Sequence, residues 1–519
     1  MRFNPISTST LLSSLLLASF AGAQIVVPVA TTPKPAGPGI EGWPGYGRDP
    51  SHSATWNTPT QNLQRIRWST PVDLNPQYSG PNLLIHYGSP LITPNGMVLV
   101  TVKTGASGGF RIEGHRSFDG SLAWMLPTDY QLAPHNWTPS CGSTLTPRGS
   151  LVVPASGGTV LIKSNPESAA GAVRRVAFYG ITNYNANPSP YDSNVIIDTP
   201  ITSDADGNVY FGFIVTGGTP VPLQSGIARI APDDSAIWVS AATASNDAGI
   251  QKVVYNCAPA LSRDGGSIYV AVNDIATSGF GTGYLLKLDS HTLQMQARVR
   301  LRDVGSATRD ALLPDDGTAT PCVGPDGDVF FGVLENPFGS NNLRGWMLHF
   351  DGALSQTKLP GAFGWDDTAS IVPASACPSY TGTSSYLVLT KYNNYGGIGS
   401  GTGLNKVAVL DPNVSMTDPI SGRTVMNEVI TVLGPTPDQN FPGGVREWCI
   451  NTAAIDVARH SAIVNNEDGK VYRWDFATNT LSQVVTLTSG IGEAYTPTII
   501  GNDGTVYAIN DARLYAVGL

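Results

Sequence analysis

One short grammar recurs along this chain: a small residue, a proline and an apolar residue, then a glycine-containing turn, then an alternating apolar strand. Ser89-Pro90-Leu91 runs through Pro94-Asn95-Gly96 to Val102, Thr199-Pro200-Ile201 through Asp204-Ala205-Asp206-Gly207 to Phe213, and Ala258-Pro259-Ala260 through Arg263-Asp264-Gly265-Gly266 to Val272. Thr320-Pro321 with Pro325-Asp326-Gly327 and Thr496-Pro497 with Asn502-Asp503-Gly504 repeat it, and weaker copies begin near Gly142, Thr368 and Thr452. Starts at residues 88, 140, 198, 256, 319, 367, 451 and 495 make eight units. Their mean spacing of about 58 residues suits four-stranded blades with some long loops. Such a unit cannot bury its apolar face alone, so neighbouring copies must stack. The expected fold is all-β: a β-propeller of eight four-stranded blades, or of seven if the copy near Gly142 or the one near Thr368 is out of phase.

Within a unit, the Asx-Gly turn joins the first two strands. A third follows, as in Phe110 to Phe118, Gly226 to Ile230, Tyr284 to Leu288, Trp346 to Phe350 and Lys470 to Trp474. The last unit stops at Leu514-Tyr515-Ala516-Val517, leaving no fourth strand. Leu63 to Val72 has strand composition and no partner of its own, and its expected place is the outer edge of the last blade. That pairing joins the two chain ends and removes an open edge. A single propeller domain then spans residues 63–519, behind a Pro/Gly-rich lead-in over residues 24–62. The lead-in is extended at first. It turns aromatic at Gly42-Trp43-Pro44-Gly45-Tyr46, where it is expected to pack on the propeller.

Residues 1–23 are a separate object: Arg2, apolar Leu11 to Phe20 and Ala21-Gly22-Ala23 read as a secretory signal cleaved after Ala23. The product is expected to be secreted or periplasmic. No later run approaches the roughly 18 apolar residues of a membrane helix. Charged residues are only 13%, against 57 Gly and 39 Pro, which excludes a charge-patterned helical bundle. A net charge of -9 excludes a partner held by phosphate charge, so no nucleic acid is expected. A ring closed on itself is expected to be a monomer. Cys141, Cys257, Cys322, Cys377 and Cys449 are odd in number and widely spaced, which excludes CxxC sites and leaves disulfide pairing open. Asn136 and Asn413 match the N-glycosylation acceptor pattern. The histidines show no metal-binding spacing and no GxSxG elbow is present, so neither a His-based metal site nor a serine nucleophile is supported.

Antiparallel order puts the second-to-third-strand loops and the blade-to-blade connections on one face. These are the long segments: 216–225, 274–283, 335–345 and 393–403, with 183–198 and 434–451. Long loops gathered on one face mark it as the functional one. The residues just before the innermost strands ring the channel mouth there: Tyr87, Ser140, Asp198, Asn256, Ala319, Asp367, Asn451 and Tyr495. His135, Trp137, Asp315, Asp316, Trp365, Asp366, Arg446, Glu447, Trp448 and Glu493 flank them. From this ring the candidate ligand-binding residues are Asp198, Asn256, Trp365, Asp367, Arg446, Glu447, Trp448, Glu493 and Tyr495. Rings that stack and carboxylates that take hydroxyls suit a glycan or another small polar ligand, and oxygen ligands suit a hard cation. The bland alternative is that polar residues cap a wet mouth or bond local backbone. Asp206, Asp264, Asp326 and Asp503 are turn residues of that structural kind.

Asp503-Gly504-Thr505-Val506-Tyr507-Ala508 followed by Leu514-Tyr515-Ala516 resembles the repeat of the pyrroloquinoline quinone (PQQ)-like, or quinoprotein dehydrogenase-like, β-propeller superfamily. Phe118-Asp119-Gly120-Ser121-Leu122-Ala123-Trp124 is similar to its tryptophan-docking turn, and the segment from Trp43 to His52 is similar to its lead-in. The resemblance implies that fold over residues 42–519. It also implies what the superfamily's dehydrogenases carry: PQQ over the channel with calcium, a Trp beneath the ring, an Asp base and often a disulfide of adjacent cysteines. Adjacent cysteines are absent here, the docking motif is clear only around Trp124 and partial at Trp238, and no cofactor residue carries over. Other members of the superfamily bind without catalysis. The expected function is therefore binding, of a glycan, a small polar molecule or a protein at the mouth, with no metal or cofactor assigned. The alternatives are a PQQ- and calcium-dependent alcohol or sugar dehydrogenase, and a glycan-cleaving enzyme using a carboxylate pair among Asp198, Asp367, Glu447 and Glu493.

Overall fold

Each unit of the repeat folds into its own antiparallel sheet, and the sheets follow one another in chain order. The computed structural model describes residues 42–519 except 81, 107, 135–140, 277–278 and 316. The signal segment, residues 24–41, His135, Trp137, Ser140, Asp316 and the acceptor Asn136 lie outside the described residues. Blades 1 to 8 are residues 91–131, 144–177, 195–240, 252–300, 322–361, 370–433, 454–486 and 499–518. Both copies of uncertain phase form four-stranded sheets, in blades 2 and 6, so the propeller has eight blades. Blade 5 has three regular strands, and its outer edge is reduced to single bridges, Met347 to Gly361 and Phe350 to Thr357.

Arg65–Pro71 pairs antiparallel with Arg513–Gly518, the last strand of the chain, with Ser69 opposite Tyr515. Blade 8 thus takes its outer strand from the other end of the molecule. Second strands such as Val98–Lys103 and Ser267–Asn273 are buried along their whole length between neighbouring blades, whereas outer strands such as Met295–Arg300 and Thr480–Thr486 stay half exposed. Burial on both sides demands nearly continuous apolar sequence, which accounts for the low charge content. At the docking turn, Trp124 Nε1 donates to Pro166 O at 3.0 Å, and its ring lies on Gly114, where a Cβ would sit 2.5 Å from the indole. All five cysteines are buried and unpaired. Short helices occupy connections that read as loops: Ile181–Ala186, Pro188–Asn194 and Ala241–Ser245. Pro188 starts the second, and Ser240 caps the third by accepting from Thr243 N–H at 3.2 Å.

The described part of the lead-in, from residue 42, does not lie against the outside of the disc. Its carbonyls accept from the innermost strands of blades 2, 4 and 5: Pro44 O from Leu145 N–H at 2.7 Å, Pro50 O from Leu261 N–H at 2.7 Å, Ser51 O from Val323 N–H at 2.9 Å. Ser53 O accepts from Ile371 N–H and Ala54 O from Ile455 N–H, both at 2.9 Å, while Trp43 exchanges two bonds with Ile92. His52 Nδ1 donates to Pro321 O at 2.9 Å and Nε2 accepts from Thr202 Oγ1 at 3.4 Å, adding blade 3. Gln61 N–H, farther along, reaches Gly504 O of blade 8 at 2.8 Å. A segment bonded to the inner edges of blades all round the ring must lie on the axis, so residues 43–54 plug the channel. Tight turns let its carbonyls radiate: Arg48, His52 and Ala54 take φ of 75°, 61° and 54°. Gly47, at φ 57°, has no room for a side chain, since a Cβ there would meet His52 Cα at 2.7 Å.

Candidate functional site

The plug bonds the inner strands of blades 1 to 7 four or five residues beyond the mouth position, roughly 13–17 Å along an extended chain. Its Tyr46 side chain closes the remaining distance on one side, with the hydroxyl against Thr368 Oγ1 at 2.9 Å and against Asn451 Oδ1. The channel is therefore filled beneath the mouth.

Above this floor, blades 5 to 8 bring together a cluster rich in carboxyl groups. Asp366 and Asp367 come from the connection into blade 6, Arg446, Glu447 and Cys449 from the connection into blade 7, and Glu493 and Tyr495 from the connection into blade 8. Lys391 stands near the end of Tyr386–Tyr392. Glu467 sits in the turn between Ser461–Asn465 and Lys470–Asp475. Gly492 N–H donates to Glu467 O at 2.7 Å, which holds that turn beside Glu493. Asp366, in left-handed backbone at φ 53°, accepts from Thr318 N–H at 2.7 Å and faces Lys391 Nζ at 3.6 Å. Asp367 accepts from Thr390 Oγ1. Arg446 Nη1 lies 3.6 Å from Asp438 and 3.7 Å from Glu467. Cys449 Sγ is 3.6 Å from Glu467 Oε2 and 3.8 Å from the Tyr495 hydroxyl.

Five carboxyls around two cations in a buried site favour the protonated form. Burial first, and then the charges of Glu447 and Asp366, push Glu493 up to about 8. Burial pushes Asp367 up to about 7 although Lys391 pulls it down. Glu447 and Glu467 are both raised, chiefly by burial, and Glu467 is raised further by the charges of Glu447 and Glu493. Acids held near neutrality can donate as well as accept hydrogen bonds, and can exchange protons with a ligand.

Asp198 and Asn256 belong to another part of the ring. Lys252 Nζ bonds both Asp315 oxygens at 2.7 and 2.8 Å, with both side chains fully buried. Asp198, beside this pair, has no hydrogen bond to either carboxylate oxygen among the described residues, and burial raises its pKa well above the ordinary range. Asn256, at φ 61°, donates through Nδ2 to Gly317 O at 3.3 Å. Trp365 is half-buried and borders a small gap between Val254, Leu313, Phe331 and Leu334. Trp448 departs from the expected mouth position: it is fully buried in the core between blades 6 and 7, edge-on to Tyr472 at 5.7 Å. Its neighbours Glu447 and Cys449 take the mouth side instead. Tyr87 is likewise in the core, and Asn451 is engaged by the plug.

Glu467, Lys391 and Cys449 escape a reading of the sequence. Asn466-Glu467-Asp468-Gly469 looks like every other Asx-Gly turn, and only its place after a second strand puts it on the mouth face. The signal for Lys391 is a lysine ending an otherwise apolar strand, where it is 1% exposed. Among the described residues, Glu447, Cys449 and Glu467 form a group whose possible metal-ligating atoms all lie within 4.8 Å of one another.

No family model matches the sequence, and no curated protein matches it. Solved structures do match in fold. A europium-containing methanol dehydrogenase superposes with a TM-score of 0.56 at 9% identity, covering 92% of this chain and 98% of that one. The quinohemoprotein alcohol dehydrogenase of Comamonas testosteroni gives 0.52 at 10% identity, covering 92% and 80%. The chain thus has the eight-bladed PQQ-like propeller fold. At such identities the likeness is one of fold, and function has to be argued from the site.

Proposed function

We propose that this protein is an exported binding module that takes a small polar, hydroxyl-bearing ligand, such as a glycan end, at the carboxyl-rich mouth of its propeller. The observation that carries the reading is the convergence of Asp366, Asp367, Glu447, Glu467 and Glu493 around Lys391 and Arg446, above a channel filled by the chain's own lead-in. Paired hydrogen-bonding groups beside the half-buried Tyr495 and Trp365 match sugar hydroxyls and ring faces. Export rests on the N-terminal segment, and among the described residues no helix is long and apolar enough to cross a membrane. The test is calorimetric titration with a panel of mono- and oligosaccharides. Binding that falls at least tenfold in Glu493→Gln supports the reading, and wild-type protein inert to the whole panel overturns it.

The fold likeness favours a second reading, a quinone-dependent dehydrogenase. The donor set does not fit that cofactor. PQQ bears three carboxyl groups, and the cations nearest the mouth carboxyls are already engaged: Lys391 with Asp366, Arg446 with Asp438 and Glu467, Lys252 with Asp315. Bringing three more negative groups to a surplus of carboxyls is unfavourable. Quinone absorbance and dye reduction after incubation with PQQ and calcium would reinstate this reading.

A further inference from the structure

We propose that Lys252 and Asp315 condense in the folded chain into an intramolecular amide between Lys252 Nζ and Asp315 Cγ, with Asp198 beside them relaying the protons. Lys252 opens blade 4 in the strand Lys252–Val253, and Asp315 follows Leu313–Pro314 in the connection to blade 5. Nζ lies 2.7 and 2.8 Å from the two carboxylate oxygens, and neither side chain has any exposed surface. Near-equal distances to both oxygens put the nitrogen roughly 3 Å from Cγ, which matches the separation of reacting atoms held ready for attack, about 3–3.5 Å. A turn of the carboxyl about its Cβ–Cγ bond presents its face to the nitrogen.

Asp198 is what sets this pair apart. It is fully buried, and among the described residues it is the only carboxyl with both oxygens buried and free of any hydrogen bond. The charges of Lys252 and Asp315 both act on it. Two carboxyls beside one buried ammonium do not both stay ionised cheaply, so Asp198 is the acid that keeps its proton. Burial raises the pKa of both acids, that of Asp198 well above the carboxylate range. An ion pair sealed from water passes to amine plus acid for the same reason, which frees the nitrogen lone pair. Lys103 holds Asp73 in the same two-oxygen way, but its nitrogen also bonds Asn75 O at 2.7 Å, and no unbonded buried carboxyl accompanies that pair among the described residues.

The step balances without a co-reactant. A proton passes from Lys252 to Asp315, the neutral Nζ attacks Cγ, the N–C bond forms and the bond from Cγ to Oδ2 breaks. Asp198 gives its proton to the departing oxygen, which leaves as water, and takes one from the new amide nitrogen, ending as it began. One ammonium and one carboxylate become one amide and one water, and nothing is oxidised or reduced. Tyr255 N–H, 3.3 Å from Asp315 Oδ1, and Asn273 Nδ2 at 3.5 Å donate to the oxygen that carries charge in the tetrahedral intermediate. The Tyr255 ring, its centroid 4.1 Å from Nζ, covers the nitrogen. Exclusion of water from the site disfavours the reverse hydrolysis. The bond closes residues 252–315 into a covalent loop in a chain whose five cysteines are all unpaired.

The test is the intact mass of the purified full chain, denatured and reduced just before measurement. The expected mass is that of the sequence from its measured N-terminus less one water, with digestion giving a branched peptide that joins Lys252 to Asp315. Lys252→Met and Asp315→Ala should each show the full mass of their own sequence. Asp198→Asn should do so too while keeping the near-ultraviolet circular dichroism of wild type, which a merely structural role would not explain. Wild type at full mass overturns the proposal whether or not the variants fold. So does a branch through Lys103 and Asp73, or a folded Asp198→Asn that still loses water. A missing water that mild alkali restores also overturns it, because that marks a cyclic imide at an Asp-Gly turn, whereas the amide survives.

Discussion

Acidification should loosen the plug through His52. The imidazole is fully buried on the propeller axis, donating from Nδ1 to Pro321 O and accepting at Nε2 from Thr202. Burial pushes its pKa down to about 4, outweighing the opposite pulls of the Pro321 carbonyl and Asp49. An unfolded histidine titrates near 6.5. Between those values the unfolded chain binds a proton that the folded chain refuses, so stability present above about pH 6.5 is lost as pH falls toward 4. At 1.36 kcal/mol per pH unit the loss comes to about 3 kcal/mol by pH 4. Many carboxyls titrate over the same range, so the assay is a difference. Urea midpoints of wild type and His52→Gln are compared at pH 7 and pH 4, with the imidazole proton followed by NMR. Wild type should be the more stable protein at pH 7, and its advantage should shrink by about 3 kcal/mol at pH 4. An advantage that is the same at both pH values, or a His52 resonance titrating near pH 6.5, would refute the reasoning.

Other substitutions probe other parts of the molecule. Lys103 and Asp73 form a fully buried pair, Nζ 2.9 Å from both oxygens, so Lys103→Met should cost about 3–5 kcal/mol in urea unfolding by stranding the carboxylate. Adding Asp73→Leu should recover most of that loss. Asp367 has its folded pKa raised to about 7, so it favours the fold below pH 4 and costs stability as pH rises toward 7. Asp367→Asn should therefore be more stable than wild type by up to about 4 kcal/mol at pH 8 and equal to it near pH 4, read as thermal midpoints. Deleting residues 42–56 should abolish the near-ultraviolet circular dichroism of the folded chain, and a monomer with an unchanged midpoint would contradict the plug.

The blades were legible because their information is local. Gly226–Ile230 and Trp346–Phe350 form strands at the bounds their alternation indicates, and the partnerless segment from Leu63 to Val72 supplies the outer strand of blade 8. A turn and a period of two need only neighbouring residues to declare themselves. The plug was not legible, since it is held largely through backbone carbonyls, which every residue carries whatever its side chain. Trp448 was misplaced for a similar reason: neighbours in an irregular segment can point opposite ways, and only packing against Tyr472 decides which is inside. Glu467 and Lys391 join the cluster through the packing of neighbouring blades, which brings positions far apart in the sequence together. The short helix Pro188–Asn194 owes its place to Tyr191, fully buried and stacked on Tyr179 with ring centroids 4.4 Å apart, a tertiary contact with no local signature.

The bonds between the lead-in and the inner strands make the N-terminal segment a gauge of blade number. Its carbonyls reach the inner strands of six blades, and a few left-handed residues turn the chain between them. Gain or loss of one blade by duplication or deletion would turn several inner strands away from their partners at once. Repeat proteins ordinarily change length one unit at a time, because each unit answers only to its neighbours. This chain gives up that freedom, and the plug, which leaves the ribosome ahead of every blade, cannot finish docking until blade 7 has been made.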